Sequence, residues 1–432
     1  MKILVVGGGG REHAIVRALS RSPKNPELLC APGNAGIAAD ARCLPLDLAD
    51  PAAIVALARD EAVDLVVIGP EGPLVAGAVD ELEAAGIAAF GPGAAGAQLE
   101  GSKAFAKRAM LDAGVPTADY RVVRSLAEGE SALAQQSYPV VLKADGLAAG
   151  KGVIIASDIA EARAALAVFF TERRFGPTEV VIEEHLAGEE LTLLALCDGK
   201  NVVPLAPAQD YKRIFDGDAG PNTGGMGSYS PVPGVDPAAL ERLTDLIHRP
   251  IVDLMASRGT PFHGVLYAGL MLTADGPKVL EFNTRFGDPE TQTVLPRLRS
   301  DLVALCLASR TPGGLAGVAA EFDDDWAVTV VLASAGYPES GSSGDPISGL
   351  AEAAGRGAEV VHAGTAERDG SIVTAGGRVL NVTALGPDPA SARDAAYAAA
   401  ALINFEGRQM RTDIAARAVA RHREASQERN PQ

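Results

Sequence analysis

The sequence predicts a multidomain protein in which an open α/β domain precedes an α+β region and a small C-terminal α/β domain. Three observations support this fold class. The chain has 432 residues, and at roughly 100–200 residues per domain this length corresponds to about three domains. Apolar strands alternate with helices from the start of the chain, and this rhythm changes after Gly101.

The N-terminal segment, residues 1–101, alternates apolar strands with glycine turns and helices. Strands are predicted at residues 3–6, 28–31, 65–68 and 87–90, and helices at residues 12–20, 51–60 and 74–85. Strands this apolar bury both faces, which is typical of a parallel sheet covered by helices on each side. The pattern of residues 1–101 therefore predicts an open parallel-sheet domain.

After Gly101, a helix over residues 102–113 leads into a region with an antiparallel pattern. Residues 140–144 are predicted to pair with 153–156, and residues 179–183 with 191–197. Further strands are predicted at residues 328–332, 360–363, 372–374 and 379–384, followed by a helix at residues 389–402. The predicted domains are therefore residues 1–101, 102–325 and 326–425, with a polar, frayed tail at residues 426–432.

Composition limits the possible partners and location of the chain. Its 55 acidic and 38 basic residues give a net charge of -17, which repels nucleic acid and anionic membranes but permits a local pocket for a small anion. The four cysteines form no CxxC pair, so we expect buried thiols in a reducing compartment. Because no run approaches about 18 apolar residues, we expect a soluble cytoplasmic protein.

A glycine cluster at residues 7–10 follows the first predicted strand and precedes a helix. It does not match the dinucleotide-binding fingerprint, because Glu12 or His13 stands where the third glycine is required and the second strand ends without an acid. This excludes a nicotinamide oxidoreductase. Glycine amides at a helix N-terminus can hold a phosphate, and the alternative is a tight turn without a ligand.

A second glycine cluster lies between the predicted strands at residues 140–144 and 153–156. It is not a Walker loop, because only three residues separate Gly146 from Gly150 and Gly152 follows Lys151 where Ser or Thr is required. A glycine-rich hairpin with lysines suits a mobile flap over a triphosphate. The alternative is an ordinary hairpin with solvated lysines.

The strand that ends near residue 184 is followed by acids and a short turn. Backbone groups of such a turn can contact an adenine edge, and a carboxylate beyond it can accept hydrogen bonds from ribose hydroxyls. This signal alone is weak, because acids at strand ends are usually solvated.

Residues 279–290 carry a more specific pattern. Period-2 alternation places Glu281, Asn283 and Arg285 on one face of a strand. Carboxylate and amide oxygens suit Mg²⁺, which needs only one or two protein ligands when phosphates supply the rest. Arg285 beside them can bind a carboxylate or phosphate in bidentate fashion. The alternative is a structural Glu–Arg pair.

A long polar loop region begins at Asp210 and Lys212 and continues through the glycine-rich residues 220–227. Long loops inside compact domains are usually functional or disordered. Glycines in this loop would allow its backbone amides to approach a ligand closely.

The order of these motifs resembles that of the phosphoribosylamine-glycine ligases, also called glycinamide ribonucleotide synthetases, of the ATP-grasp superfamily. The matching segments span nearly the whole chain and comprise residues 9–14, 31–36, 99–103, 143–153, 220–227, 280–291, 376–380 and 382–386. The resemblance implies an N-terminal substrate-binding domain and a central ATP-grasp domain with a mobile flap subdomain at about residues 120–192. It also implies a small C-terminal α/β domain.

The resemblance implies an enzyme of purine biosynthesis that uses ATP and Mg²⁺ or Mn²⁺. Its small-molecule substrates would be glycine and 5-phosphoribosylamine, and its products glycinamide ribonucleotide, ADP and phosphate. In the family's route, glycine becomes an acyl phosphate that the amine attacks. Positioning and charge neutralisation then supply most of the barrier reduction. We expect a monomer that binds neither nucleic acid nor membranes.

The resemblance also implies residue roles. The ATP-binding residues would be Lys103, Lys143, Gly146, Gly150, Lys151, Gly152, Glu183, Glu184, Leu186 and Glu190. The substrate-binding residues would be Gly9, Gly10, Arg11, Gly33, Asn34, Glu71, Asp288 and Pro289. The catalytic residues would be Arg285, Asp210 and Lys212, and the metal ligands Glu281 and Asn283.

The sequence departs from the family pattern at three positions. Thr284 replaces a common cysteine, Gly72 replaces a usual alanine, and Ala415 stands where glycine is preferred. We expect little effect from Thr284, because its side chain should point away from the metal face of the strand.

Two rival functions stay open at this point. One is a nucleotide-binding regulatory protein without turnover; the metal pair Glu281 and Asn283 argues against it, because such a protein would not need that pair. The other is an ATP-grasp ligase or carboxylase acting on another carboxylate; the loops at Gly9 and Gly33 argue against it, because such an enzyme would not need them.

Overall fold

The computed structural model describes residues 1–147 and 152–429 of the chain. Its N-terminal part contains a five-stranded parallel sheet in the order β3-β2-β1-β4-β5. The strands are β1 (Lys2–Gly7), β2 (Glu27–Pro32), β3 (Arg42–Cys43), β4 (Leu65–Ile68) and β5 (Ala89–Phe90). The helices are α1 (Gly10–Ser20), α2 (Ile37–Asp40), α3 (Pro51–Asp60), α4 (Glu71–Val75), α5 (Ala78–Ala84) and α6 (Ala94–Gly101). The predicted parallel sheet is confirmed.

Alternation along β1 explains why this sheet is covered on both faces. Ile3 and Val5 belong to one apolar cluster, whereas Leu4 and Val6 belong to another on the opposite side. Each of these four side chains is fully buried. The helix predicted over residues 74–85 is divided at Gly77, whose φ of 88° ends α4 before α5 begins.

The central part of the chain contains six helices and most of the antiparallel strands among the described residues. The helices are α7 (Lys103–Ala113), α8 (Leu126–Leu133), α9 (Ile159–Phe170), α10 (Pro237–Ser257), α11 (Thr291–Val294) and α12 (Leu302–Ser309). The strands are β6 (Tyr120–Val123), β7 (Val140–Ala144), β8 (Val153–Ala156), β9 (Val180–Glu184), β10 (Glu189–Asp198), β11 (Val202–Pro204), β12 (Gln209–Asp210), β13 (Arg213–Phe215), β14 (Ala219–Asn222), β15 (Gly227–Ser230), β16 (His263–Thr273) and β17 (Gly276–Asn283).

Two four-stranded antiparallel sheets face each other in this central part. One has the order β6-β9-β7-β8, and the other has the order β11-β10-β16-β17. The predicted pairing of residues 140–144 with 153–156 is confirmed by β7 and β8. The predicted pairing of residues 179–183 with 191–197 is wrong, because β9 joins β6 and β7 whereas β10 joins β11 and β16.

The short turn after β9 carries the chain from one sheet to the other. An added Cβ at Gly188 would lie 2.2 Å from the carbonyl oxygen of Leu272. The backbone at Gly188 therefore approaches β16 closely, and β10 continues along that strand instead of folding back on β9.

The C-terminal part completes a five-stranded antiparallel sheet in the order β12-β15-β18-β23-β20. The strands of the C-terminal part are β18 (Trp326–Ala333), β19 (Ser343–Pro346), β20 (Glu359–His362), β21 (Thr365–Arg368), β22 (Ser371–Ala375) and β23 (Arg378–Gly386). Of these, β19, β22 and β21 form a separate three-stranded sheet. Its helices are α13 (Leu350–Ala354), α14 (Pro389–Ala400) and α15 (Ala416–Arg429). The helix α15 includes residues 426–429, so the predicted tail is helical over these residues. Gln, Glu and Arg in this stretch have high helix propensity.

The sequence predicts that the four cysteines are buried thiols. All four are free, and all except the half-buried Cys43 are buried. In the described part of the chain, we find no helix with the length and apolar character needed to cross a membrane.

We predict that Gly8→Ala destabilises the protein, because the added Cβ would lie 2.4 Å from the carbonyl oxygen of Gly33. A backbone carbonyl cannot rotate away as a flexible side chain can, so the expected loss is about 1–3 kcal/mol in free energy of unfolding. Denaturant unfolding of the purified variant measures this loss.

The matched control is Gly72→Ala in α4, where an added Cβ meets nothing within 4 Å. Alanine in a helix should be neutral or stabilising by up to about 1 kcal/mol. Equal stability of the two variants would contradict the close approach of residues 8 and 33.

Candidate active site

A cleft of about 580 Å³ lies between the two antiparallel sheets of the central part and extends to the N-terminal and C-terminal parts. Most of the predicted site residues line it. These are Arg11, Glu71, Lys103, Lys143, Gly146, Gly152, Glu183, Glu184, Leu186, Glu190, Asp210, Lys212, Glu281, Asn283, Arg285 and Asp288. Gly150 and Lys151 lie outside the described residues.

Two lysines converge on one buried carboxylate at one end of the cleft. Lys143 of β7 donates a hydrogen bond of 3.0 Å to Oε2 of Glu183, and Nζ of Lys107 in α7 lies 3.0 Å from the same oxygen. The side chain of Glu183 is only 3% exposed. Burial lowers the pKa of Lys107 to about 8. These ion pairs hold the ammonium groups of Lys107 and Lys143 in place beside the cleft.

The second oxygen of Glu183 is an unused acceptor. Its Oε1 is buried and has no hydrogen-bond partner among the described residues. Burying such an acceptor without a donor is costly, so the arrangement fits a ligand that brings an N–H group to this end of the cleft. The 6-amino group of adenine is such a donor.

Lys103 extends the positive lining from the first turn of α7. Its Nζ donates to the carbonyl oxygen of Gly146 at 2.9 Å, which joins the helix to the start of the predicted flap. Burial lowers the pKa of Lys103, although the nearby carboxylate of Glu281 opposes this change. Gly152, at the other end of the flap, also lines the cleft.

Glu281 and Asn283 lie on β17 and line the cleft, as the period-2 pattern predicts. Burial favours the neutral form of Glu281, but the positive charges of Lys212 and Lys143 hold its pKa below the ordinary value. Glu281 is therefore a carboxylate at neutral pH. No described residue forms a hydrogen bond with the side chain of Glu281 or with that of Asn283.

This donor set fits a divalent cation that also takes phosphate ligands. Within residues 1–147 and 152–429, no group of three or more His, Cys, Asp or Glu is arranged to hold a metal alone. Mg²⁺ needs only one or two protein oxygens when phosphates complete its shell. Glu281 and Asn283 can supply those two oxygens.

A second charged cluster lies beside the metal pair. Lys212 donates to Oδ2 of Asp210 at 2.9 Å, and its Nζ lies 4.0 Å from Oε2 of Glu190. Burial opposes the charge of Lys212, but Asp210 and other anions hold its pKa well above the ordinary value. Burial raises the pKa of Glu190 to about 7, against the effect of Lys212. Lys212 therefore remains positive within an acidic surrounding.

Arg285 is held by carboxylates from the N-terminal part. Its Nε donates to Oε2 of Glu71 at 3.3 Å, and its Nη2 lies 2.7 Å from Oε1 of Glu100. Although burial favours neutral Glu71, Arg285 and Arg11 lower its pKa to about 2. These ion pairs bring α4 and α6 against the end of β17.

Five predicted substrate-binding residues do not line the cleft. They are Gly9, Gly10, Gly33, Asn34 and Pro289. The N–H of Gly9 donates to Oε2 of Glu12 at 2.6 Å, so the side chain of Glu12 already caps this end of α1. An added Cβ at Gly10 would lie 2.4 Å from Nδ2 of Asn381, so Gly10 permits close packing of α1 against β23.

Asn34 uses its side chain within the protein. Its Nδ2 donates to the carbonyl oxygens of Gly8 and His362, and its Oδ1 accepts hydrogen bonds from Gly36 and Ile37. These contacts favour a structural role for the side chain over direct ligand binding. The Gly9 and Gly10 contacts likewise favour the tight-turn alternative at that position.

Sequence reasoning missed several residues of the cleft. Glu290 is buried and accepts hydrogen bonds from Tyr267 at 2.9 Å and Thr192 at 3.2 Å. Arg378 of β23 donates to the carbonyl oxygen of Gly224 at 2.7 Å, which joins the glycine-rich loop to the C-terminal part. The run of four polar residues from 290 to 293 directly after the predicted metal-binding segment was a usable sequence signal. Lys107, which also lines the cleft, has no such signal, because its sequence context is that of any lysine on a helix.

The cleft places lysines, the two described ends of the glycine-rich segment (Gly146 and Gly152) and an oxygen-donor pair between two antiparallel sheets. This arrangement defines a protein of the ATP-grasp class. Three family descriptions match the chain in order. They are "Phosphoribosylglycinamide synthetase, N domain" over residues 1–100, the "ATP-grasp (A) domain" over residues 101–291 and the "C domain" over residues 327–417.

Individual proteins give the same result. A phosphoribosylamine--glycine ligase of Streptomyces coelicolor is 52% identical over 423 residues, covering 97% of this chain and 100% of the relative. The crystal structure of the phosphoribosylamine--glycine ligase of Thermotoga maritima has a TM-score of 0.82 at 36% identity, covering 96% of this chain and 100% of that chain. The chain belongs to the phosphoribosylglycinamide synthetase family.

More distant structures share the fold. The biotin carboxylase domain of the Hydrogenobacter thermophilus 2-oxoglutarate carboxylase, crystallised with MgADP and bicarbonate, has a TM-score of 0.69 at 18% identity, covering 95% of this chain and 91% of that chain. At this level of identity the likeness describes the fold alone.

Proposed function

We propose that the chain joins glycine to 5-phosphoribosylamine at the expense of ATP and forms glycinamide ribonucleotide, ADP and phosphate in purine biosynthesis. The observation that carries this proposal is the single cleft in which the lysines, the pair Glu281 and Asn283, and the N-terminal residues Arg11 and Glu71 meet. The family membership and the names of the relatives support the same reaction.

ATP binds along the cleft in this proposal. Adenine lies against the segment from Glu183 to Leu186, where the unused Oε1 of Glu183 accepts its amino group. Glu184 contributes its backbone carbonyl oxygen, since its N–H donates to the carbonyl oxygen of Asp119. Glu190 accepts hydrogen bonds from the ribose. Lys103 and Lys143 neutralise the phosphates.

The flap closes over the triphosphate in the same proposal, through Gly146, Gly150, Lys151 and Gly152. Gly146 and Gly152 line the cleft, and the assignment of Gly150 and Lys151 rests on the sequence pattern. Backbone amides of glycines can approach phosphate oxygens closely.

Glu281 and Asn283 hold the divalent cation. When bound, Mg²⁺ or Mn²⁺ neutralises charge on the terminal phosphates of ATP. The carboxylate of Glu281 stays ionised for this role because Lys212 and Lys143 offset the effect of its burial.

The proposed route has two bond exchanges. A carboxylate oxygen of glycine attacks the terminal phosphorus of ATP, ADP leaves, and glycyl phosphate forms. The amine of phosphoribosylamine then attacks the carbonyl carbon and loses a proton, and phosphate leaves with the oxygen that glycine supplied. Arg285 stabilises the phosphoryl group in transfer, and Lys212, oriented by Asp210, stabilises negative charge beside it.

Phosphoribosylamine binds at the N-terminal end of the cleft. Arg11, Glu71 and Asp288 contribute side chains there, while Gly9, Gly10, Gly33, Asn34 and Pro289 shape the loops behind them.

We predict that glycine labelled with ¹⁸O in its carboxylate transfers one labelled oxygen to phosphate in each turnover. The transfer follows from an acyl phosphate, because phosphate leaves with the oxygen that attacked ATP. Mass spectrometry of the released phosphate measures it. Unlabelled phosphate from a reaction that forms glycinamide ribonucleotide would contradict the intermediate.

We predict that Glu281→Gln lowers kcat about 100-fold or more, because the amide weakens a metal ligand and removes its negative charge. Coupled-enzyme detection of ADP measures the rate, and thermal unfolding checks that the variant is folded. The control is Glu367→Gln at an exposed position on β21, which should keep the full rate. A folded Glu281→Gln variant with near-normal turnover would exclude β17 as the metal site.

A further inference from the structure

Glu100 is a buried carboxylate to which neither the sequence pattern nor the proposed mechanism gives a role. It lies in the last turn of α6, immediately before the central part of the chain begins, and its side chain is only 7% exposed. A buried carboxylate must be paired and hydrogen-bonded to be tolerated. The partners of Glu100 therefore indicate what it does.

Both oxygens of Glu100 are used, and both contacts lead to the end of β17. Its Oε1 lies 2.7 Å from Nη2 of Arg285. Its Oε2 accepts the backbone N–H of Thr284 at 2.8 Å and the hydroxyl of Thr284 at 3.3 Å. One side chain thus holds the arginine and also the backbone of the residue before it.

Glu71 makes a different kind of contact with the same arginine. Its side chain is 31% exposed, and its Oε2 lies 3.3 Å from Nε of Arg285. Both side chains line the cleft, but only 7% of the Glu100 side chain is exposed there, against 31% of the Glu71 side chain. Glu100 is therefore the carboxylate suited to orientation, because both of its oxygens already contact residues of the protein.

We propose that Glu100 is a positioning residue that orients Arg285 toward the phosphoryl group in transfer, and that the hydroxyl of Thr284 supports this orientation. The inference rests on the proposed function, in which Arg285 acts on that group. The expectation that Thr284 has little effect is revised here, because its fully buried side chain contacts Glu100.

The test is Glu100→Gln in the full-length protein. Glutamine replaces one of the two carboxylate oxygens with an NH2 donor, so either the contact with Arg285 or the contacts with Thr284 are lost. We therefore expect kcat to fall about 10-fold to 100-fold, the range for residues that orient a functional group. The Michaelis constant for ATP should stay within about twofold, because the contacts of adenine, ribose and the lysines are unchanged. A proportionate rise in that constant with an unchanged kcat would contradict the proposal.

Thr284 supplies a double-variant test that a merely structural role would not satisfy. Thr284→Val replaces the hydroxyl with a methyl group of similar size and should lower kcat a few-fold, whereas Thr284→Ser keeps the hydroxyl and should keep the wild-type rate. In a Glu100→Gln background, Thr284→Val should add nothing, since it acts through the missing carboxylate. Additive losses would overturn the link between the two residues.

The control is Glu83→Gln, which changes an exposed glutamate in the same N-terminal part and should leave the rate unchanged. Thermal unfolding of each variant separates loss of fold from loss of rate. If the wild type fails to ligate glycine, the proposed function is wrong. If the wild type is active and folded Glu100→Gln is equally active, only the positioning role is wrong.

A crystal structure of Glu100→Gln adds a readout that does not depend on turnover. The proposal expects the guanidinium of Arg285 to leave the position 3.3 Å from Glu71 that it occupies in the wild type. An unmoved guanidinium would overturn the positioning role even if no activity were measured.

Discussion

The contact of Arg285 with two carboxylates from the N-terminal part is the interaction on which the cleft depends. Glu71 follows β4 and Glu100 ends α6, so both stand where the parallel sheet and its helices meet the central part. Arg285 follows β17 and brings the metal pair with it. Without Glu71 and Glu100, the guanidinium of Arg285 would lack its anionic partners in a largely buried position, which is strongly unfavourable.

The same principle extends through the cleft. Lys143 and Lys107 share Glu183, and Lys212 pairs with Asp210. Each cation is held in place by an anion, while its charge remains available to a polyanionic ligand. Preorganised charge of this kind stabilises a phosphoryl group in transfer without reorganisation during the reaction. A net charge of -17 on the whole chain is compatible with such a site, because local charge decides binding.

The sequence predicted those features that depend on local patterns. Apolar strands bounded by glycine predicted the parallel sheet, and period-2 alternation placed Glu281 and Asn283 on the cleft-facing side of β17. The failures concern contacts between distant residues. The pairing of β9 and β10 was wrong because sheet membership is decided by β16, and the tight packing at Gly10 depends on Asn381 in the C-terminal part. Glu100 was overlooked because an acid at a helix end usually faces solvent.

The most direct test of the proposed ligase reaction is ADP release with ATP and magnesium, measured with glycine and 5-phosphoribosylamine each omitted in turn. We expect release at the full rate only when both are present, together with stoichiometric glycinamide ribonucleotide. Full release without phosphoribosylamine, or equal release with another carboxylate in place of glycine, would contradict it.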